Sequence, residues 1–146
     1  MEDSHLYIAV VDDHQADAEM LRMALQATKI PVEIVVFETG TQVLKYLNAD
    51  EPDGETPCDL ILIDLYLPGM SGFEVLERIR GVERLKSLPV VILSGSQNPK
   101  EIERCYALGA NSYISKPAHL SEILDTAGHL MNDWFPALRK PRLSRL

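Results

Sequence analysis

Cys58-Asp59-Leu60-Ile61-Leu62-Ile63-Asp64-Leu65-Tyr66-Leu67-Pro68-Gly69-Met70-Ser71-Gly72 is the stretch that decides the fold of this chain. The unbroken apolar run 60–63 predicts a strand buried on both faces, as in the middle of a parallel sheet. The strand ends at Asp64. A buried charge without a partner costs several kcal/mol, so this carboxylate needs a partner, a metal or a chemical task. Pro68-Gly69 then turns the chain and Ser71 begins a helix-capping pattern, which places Asp64 at a sheet edge where ligands bind in α/β folds.

The rest of the chain alternates predicted strands with predicted helices. The strands are predicted at 6–11, 32–37, 60–63, 88–93 and 111–115. A helix follows each strand: the first runs to about Thr28, the third reaches Arg84, and Pro136 closes the last. Five strand–helix units with short loops predict a parallel sheet with right-handed crossovers and helices on both faces.

Length and charge limit the classes of function. The 146 residues provide one domain, which we expect to span 1–136, with a short basic tail at 137–146. The tail holds four basic and no acidic residues, so that the overall charge of −8 leaves −12 on residues 1–136. An acidic body repels phosphates, which argues against nucleic-acid binding, whereas the tail suits an acidic partner.

The sequence also favours a protein of the cytoplasm. Its N-terminus, Met1-Glu2-Asp3-Ser4-His5, is acidic and polar and does not resemble a signal peptide, and no apolar run approaches the roughly 20 residues of a membrane helix. Cys58 and Cys105 are widely separated and flanked by apolar residues, so we expect two small buried thiols in a reducing compartment.

The residues that end the predicted strands form one chemical group. Asp12 and Asp13 end the first strand, Asp64 the third, Ser94 the fourth and Lys116 the fifth. A parallel sheet brings these ends to one edge. Two bare carboxylates about 4 Å apart repel by roughly 4 kcal/mol at an effective dielectric of 20, so three acids require a cation or a captured proton. Mg²⁺ fits best, because it binds through one or two carboxylates and keeps waters that a phosphate can replace.

The same edge has the groups that phosphoryl transfer requires. Lys116 and Ser94 supply a point charge and a neutral donor opposite the metal, an arrangement that stabilises the oxygens of a phosphoryl group in transfer. One carboxylate must then accept the group. Asp64 is favoured because it is single and on the central strand, while Asp12 and Asp13 can hold the metal.

These residues carry a resemblance to a known family. From about Leu6 to Phe135 the chain resembles the CheY-like receiver domain of two-component response regulators. The matching landmarks, in order, are Asp12-Asp13, Asp64 with its Leu-Pro-Gly-Met-Ser-Gly continuation, Ser94, Tyr113 and Lys116-Pro117. Asp64 and Ser94 are 30 residues apart, and Ser94 and Lys116 are 22 apart, which suits the family.

The resemblance implies a flavodoxin-like (βα)5 fold, a doubly wound five-stranded parallel sheet in the order 2-1-3-4-5. It implies that Asp64 receives a phosphoryl group from the phosphohistidine of a histidine kinase. It further implies Mg²⁺ bound by Asp13, Asp64 and the backbone carbonyl of Tyr66, with Asp12 assisting.

The resemblance also assigns the remaining residues. Ser94 and Lys116 would hold the phosphoryl oxygens, and Tyr113 would act with Ser94 as the switch that reports the phosphoryl group. The default interpretation of Tyr113 alone is a packing aromatic. Tyr66 departs from the family pattern, since many relatives carry a smaller polar residue there; a bulky ring could screen the phosphoryl bond from water, which leaves the lifetime of the phosphorylated form open. His14 is interpreted as a solvated first-turn histidine, because imidazole is not a ligand that magnesium prefers.

A weaker similarity points to single-domain regulators partnered with phytochrome-type kinases. It depends on the acidic insert 48–57, the run Leu108–Pro117 and the Trp134-Phe135 end of the last helix. This apolar end and the basic tail suit a homodimer contact or a docking site for a downstream protein. The sequence names neither the kinase nor that target.

Three functional interpretations remain. The first is a phosphorylation-dependent signalling protein that is not an enzyme acting on a separate substrate, because its chemistry is confined to Asp64. The second is a small haloacid-dehalogenase-type phosphatase, but that family requires a second Asp where this chain has Tyr66. The third is a receiver-like adaptor that binds partners independently of phosphorylation.

Overall fold

The computed structural model describes residues 6–28, 30–48, 56–116 and 120–138, and for 120, 121 and 133–138 it describes the backbone alone. Strands and helices alternate along the chain as the sequence predicts. The elements are β1 (Leu6–Val11), α1 (Gln15–Ala27), β2 (Val32–Phe37), α2 (Gly40–Leu47), β3 (Leu60–Ile63), α3 (Gly72–Arg80), β4 (Val90–Ser94), α4 (Pro99–Ala107), β5 (Ser112–Ser115) and α5 (Leu120–Leu138).

The five strands form one parallel sheet in the order β2-β1-β3-β4-β5, and the predicted flavodoxin-like fold is confirmed. The register aligns Val11 of β1 with Ile63 of β3, and Ile63 with Ile92 of β4. The strands on either side of the centre therefore end at nearly the same level. Whatever follows each of them lies at one edge of the sheet.

Both faces of the sheet are covered, as the apolar run of β3 predicts. All four of its residues are buried. Ile61 and Ile63 pack among residues of α2 and α3 on one face, whereas Leu60 and Leu62 pack among residues of α1 and α5 on the other. Successive side chains of a strand point to opposite faces, so a strand with helices on both sides must be apolar throughout.

Three helices begin at side-chain caps, and the cap at Ser71 is the one predicted above. Thr39 and Gln42 form a complete capping box at α2, and the Asn98 side chain accepts a hydrogen bond from the Lys100 N–H at α4. At α3, Ser71 accepts from the Glu74 N–H. These caps satisfy amide groups that have no partner within a helix.

Three predicted boundaries are wrong by two residues or more. Helix α3 ends at Arg80, not Arg84, because Gly81 caps it and the chain turns into a 3-10 turn at Glu83–Leu85. Strand β4 begins at Val90, not Leu88, since Pro89 has no N–H to pair. The backbone of α5 continues through Pro136 to Leu138, although a proline there cannot donate a hydrogen bond to the carbonyl four residues earlier.

Among the described residues, no helix is both long enough and apolar enough to cross a bilayer. The acidic insert is described only at residue 48 and at 56–57, so most of the segment used for the phytochrome-type similarity lies outside the described residues. The side chains of Trp134 and Phe135, and residues 139–146 of the basic tail, also lie outside the described part of the chain.

Candidate functional site

The site is assembled at the carboxyl edge of the sheet by hydrogen bonds between neighbouring chain segments. The Asp64 N–H donates to the Val11 carbonyl at 3.0 Å, which fixes Asp64 beside the end of β1. The Lys116 N–H donates to the Ser94 carbonyl at 2.7 Å, which fixes Lys116 beside the end of β4. Both residues thus continue the sheet ladder by one step, and their side chains leave it at the same edge.

Lys116 brings the separate acids together. Its Nζ lies 2.8 Å from Asp12 Oδ2 and 3.2 Å from Asp64 Oδ2. Both aspartates are only 5% exposed, and these ion pairs compensate the cost of burying their charges. A third carboxylate, Asp17 on the first turns of α1, lies 3.2 Å from the same Nζ and is half exposed. Asp17 was not predicted as a site residue.

Burial opposes the ionisation of one acid of the pocket, Asp64. Burial is the largest influence on Asp64 and raises the pKa of its carboxyl, while the charge of Lys116 acts in the opposite direction. Burial alone would lower the pKa of Lys116, but its hydrogen bond to Asp12 and the charges of Asp12 and Asp64 outweigh burial and raise that pKa. Lys116 therefore stays protonated as the fixed cation of the pocket.

The remaining acid of the cluster, Asp13, has an oxygen suited to a cation. Asp13 Oδ1 is buried and accepts no hydrogen bond from the described residues. Ligand atoms of Asp12, Asp13, His14 and Asp64 all lie within 4.8 Å of one another. A buried carboxylate oxygen that accepts no hydrogen bond within the described part of the chain, and that lies among further carboxylates, fits a hard divalent cation such as Mg²⁺.

His14 is solvated as predicted, with a side chain that is 60% exposed, but its ring is directed at the acids. Its Nδ1 lies 3.2 Å from Asp12 Oδ1 and 3.4 Å from Asp13 Oδ1. The hydrogen bond with Asp12, followed by the charge of Asp13, raises the pKa of His14. Its position directly after the acidic pair in sequence was the signal that could have indicated this contact.

Ser94 and Tyr113 both lie near the pocket and meet at a third residue. Ser94 is completely buried at the end of β4, and its Oγ accepts a hydrogen bond from the Ser96 N–H at 3.2 Å. The Tyr113 hydroxyl donates to the Ser96 carbonyl at 2.6 Å. Both predicted switch residues therefore contact Ser96, a residue that sequence reasoning did not single out.

Tyr66 is directed away from the acids toward α4. Its ring is 54% exposed, and its hydroxyl donates to Glu101 Oε1 at 2.5 Å. The Ser96 hydroxyl donates to the same oxygen at 2.5 Å. The hydrogen bond to Glu101 raises the pKa of Tyr66, and donation first from Ser96 and then from Tyr66 lowers the pKa of Glu101. No local sequence signal connects residue 66 with residue 101.

Gly72 lets the first turn of α3 approach the loop after β3. A Cβ at this position would overlap the Asp64 carbonyl oxygen and would lie 2.7 Å from the Leu65 Cα. The Gly72 N–H also donates to the Leu65 carbonyl at 2.8 Å. The backbone that carries Asp64 is therefore fixed from β1 on one side and from α3 on the other.

A parallel sheet in this order, with acids and a lysine joined at its carboxyl edge, defines the class of flavodoxin-like receiver domains of signalling systems. Residues 8–127 match the family described as response regulator receiver domain, and the chain belongs to that family. Receiver domains are in general phosphoacceptors with an acidic pocket for a divalent cation, and they form part of two-component systems.

Three relatives illustrate the similarity. The two-component response regulator ARR17 of Arabidopsis thaliana is 33% identical over 136 residues, which cover 89% of this chain and 88% of ARR17. The phosphorylated cyanobacterial phytochrome response regulator RcpA is 36% identical with a TM-score of 0.82, covering 91% of this chain and 96% of RcpA. The Mn²⁺-bound response regulator Rcp1 is 29% identical with a TM-score of 0.79, covering 89% of this chain and 94% of Rcp1.

Proposed function

We propose that this chain is a response regulator receiver that receives a phosphoryl group on Asp64 from a histidine kinase. The observation that carries the proposal is the meeting of Lys116 with both Asp12 and Asp64, at 2.8 and 3.2 Å, from distant parts of the sequence. A receiver pocket needs a carboxylate acceptor beside a fixed cation, and these three residues provide it.

The chemistry assigned to Asp64 is a single displacement. One of its carboxylate oxygens bonds to phosphorus while the bond from phosphorus to the kinase imidazole breaks, and the imidazole leaves with that electron pair. Lys116 then pairs with an oxygen of the phosphoryl group, and the Ser94 hydroxyl donates to another. Both act by position and charge.

Asp13, Asp64 and the backbone carbonyl of Tyr66, assisted by Asp12, would hold Mg²⁺. The ion supplies positive charge that neutralises the phosphoryl oxygens and lowers the repulsion between the donor and the acidic pocket. The carboxylate oxygens named above are the hard donors that this ion prefers, and the buried Asp13 Oδ1 is without a hydrogen bond from the described residues.

The proposed kinase is of the phytochrome type. The support is the similarity to RcpA, a cyanobacterial phytochrome response regulator, over 91% of this chain at 36% identity. Phosphotransfer from purified kinases, compared in red light and in darkness, tests this assignment. Transfer from a light-independent kinase alone would contradict it, although Asp64 would still be the acceptor.

The signal would leave through the face formed by α4, β5 and α5, with Ser94 and Tyr113 as the reporting pair. We assign residues 1–136 to the receiver and 137–146 to a basic tail, and we propose that a downstream protein or a second copy of the chain binds at this face in the cytoplasm. Light scattering before and after phosphorylation tests the homodimer.

Incubation with acetyl phosphate and Mg²⁺ tests the acceptor. We expect intact-mass spectrometry to detect one added phosphoryl group in the natural chain and none in Asp64→Asn. Asp125→Asn, an exposed acid on α5, is the matched control and should be modified normally. A phosphoryl group that persists in Asp64→Asn, or one that never forms in the natural chain, would overturn the proposal; the second result would favour the adaptor.

A further inference from the structure

Glu101 lies at the centre of a hydrogen-bonded bridge between the acceptor loop and helix α4. Its Oε1 accepts from Tyr66, two residues after the acceptor, and from Ser96 in the loop between β4 and α4. Glu101 itself is in the first turn of α4. One carboxylate oxygen thus joins three segments of the chain that border the pocket.

Ser96 connects this bridge with the two predicted switch residues. Its N–H donates to Ser94 Oγ, its hydroxyl donates to Glu101, and its carbonyl accepts from Tyr113. All three polar groups of Ser96 are therefore used. A movement of Ser94 toward a phosphoryl group displaces Ser96, and Ser96 cannot move without stretching its bond to Glu101.

We propose that Glu101 is a positioning residue whose bonds to Tyr66 and Ser96 hold the β4–α4 loop in its unphosphorylated arrangement. The bonds of this bridge must be broken or stretched before the Ser94 side chain can contact the phosphoryl group, and this costs free energy. This inference rests on the proposed function of Asp64, and it adds Glu101 and the Tyr66 side chain as residues that set how readily the chain switches.

The balance of hydrogen bonds gives the size of the effect. Both bonds to Glu101 have a charged acceptor, and such bonds are stronger than neutral ones. Much of this strength is lost where water competes, and Tyr66 is half exposed. A net bond of the usual size changes an equilibrium by about two- to tenfold.

Titration with beryllofluoride, a phosphoryl mimic, in the presence of Mg²⁺ tests the bridge. Binding is followed by fluorine NMR on the whole chain. We expect Glu101→Ala and Tyr66→Phe each to bind the mimic about two- to tenfold more tightly than the natural chain. Glu101→Gln keeps an oxygen that accepts both hydroxyls, so its affinity should lie between those of the natural chain and Glu101→Ala.

Two matched controls remove the same groups elsewhere. Glu103→Ala removes an exposed acid of the same helix, and Tyr46→Phe removes a hydroxyl that donates to the Pro57 carbonyl. Neither should change the affinity for the mimic. The double variant Tyr66→Phe with Glu101→Ala should gain less than the product of the two single effects, since both remove the Tyr66–Glu101 bond.

Backbone exchange in the absence of the mimic provides a second readout. Amide hydrogens of residues 95–102 should exchange faster in Glu101→Ala than in Glu103→Ala. Unchanged or weaker affinity in both bridge variants would overturn the role of Glu101. Absence of mimic binding in the natural chain would instead overturn the proposed function.

Discussion

Lys116 and Asp12 form a 2.8 Å ion pair although 104 residues separate them in the sequence. The same ammonium also contacts Asp64, so its positive charge compensates the negative charges of two nearly buried carboxylates. One ammonium thus links carboxylates that follow two different strands of the sheet.

Lys116→Ala should therefore destabilise the chain in chelator by about 3 kcal/mol, because it leaves buried acids unpaired. Mg²⁺ can replace the lost positive charge, so the variant should bind Mg²⁺ at least as well as the natural chain and regain much of its stability. The measurement is the melting temperature in chelator and in Mg²⁺. Lys100→Ala, an exposed lysine of α4, is the control. Equal Mg²⁺-induced shifts in both variants would contradict the role of Lys116.

Gly72→Ala should damage the acceptor loop. The added Cβ overlaps backbone atoms of Asp64 and Leu65, which cannot move as a side chain can. We expect a loss of about 1–3 kcal/mol in the free energy of unfolding and slower phosphorylation by acetyl phosphate. Urea denaturation and intact-mass spectrometry measure the two effects.

Gly128→Ala is the matched control for that change. Gly128 lies inside α5, and a Cβ there would meet nothing within 4 Å. Because Gly is a poor helix former, this variant should gain about 0.5–1 kcal/mol and be phosphorylated at the natural rate. If both glycine variants lost stability equally, the close approach at Gly72 would not be the cause.

Arg80 and Asn111 should stabilise each other and the start of β4. The Arg80 guanidinium donates to the carbonyls of Leu85 and Gly109, and to the Asn111 side chain at 2.9 Å. The same Asn111 oxygen accepts from the Val90 N–H at 2.8 Å. Arg80→Met and Asn111→Ala should each cost about 2–3 kcal/mol.

The double variant of Arg80 and Asn111 distinguishes coupling from two separate losses. Since the two side chains share a bond, the combined cost in urea denaturation should be smaller than the sum of the single costs. Strictly additive costs would contradict the interaction. Arg78→Met, which removes only an exposed pair with Glu74, should cost less than 1 kcal/mol.

The two cysteines should be unreactive in the folded chain. Cys58 and Cys105 are completely buried, and burial raises the pKa of the Cys105 thiol to about 11. Only the thiolate reacts with iodoacetamide, so the reactive fraction at pH 8 is small and grows about tenfold with each pH unit until that pKa. Mass spectrometry should find no labelling at pH 8 without denaturant and two labels in urea. Rapid labelling of the folded chain would contradict this burial.

The sequence was sufficient for the sheet and for the residues at its edge. All four residues of β3 are apolar, which requires helices on both faces of the sheet. Parallel strands then bring Asp12, Asp64 and Lys116 to one edge, independently of the loop conformations. The meeting of these three residues was predicted on that basis. Their chemical roles, and those of Ser94, Tyr113 and the Tyr66 carbonyl, stay predictions.

The contacts that were not predicted depend on loops and rotamers. The direction of the Tyr66 ring is set by Glu101, which is near only because α4 begins where it does. Asp17 reaches Lys116 only after α1 has packed beside the pocket. The early end of α3 follows from the cap at Gly81 and the 3-10 turn after it. Neither these contacts nor the end of α3 can be predicted from local sequence periodicity.

Among the described residues, the side chains of the pocket follow the ends of strands β1, β3, β4 and β5, except for Asp17, which lies on α1. Substitutions on the outward surfaces of the helices should therefore leave the mutual distances of these pocket groups unchanged. The exposed faces of the described helices are thus the part of the molecule that can diverge while the acids and the lysine keep their arrangement.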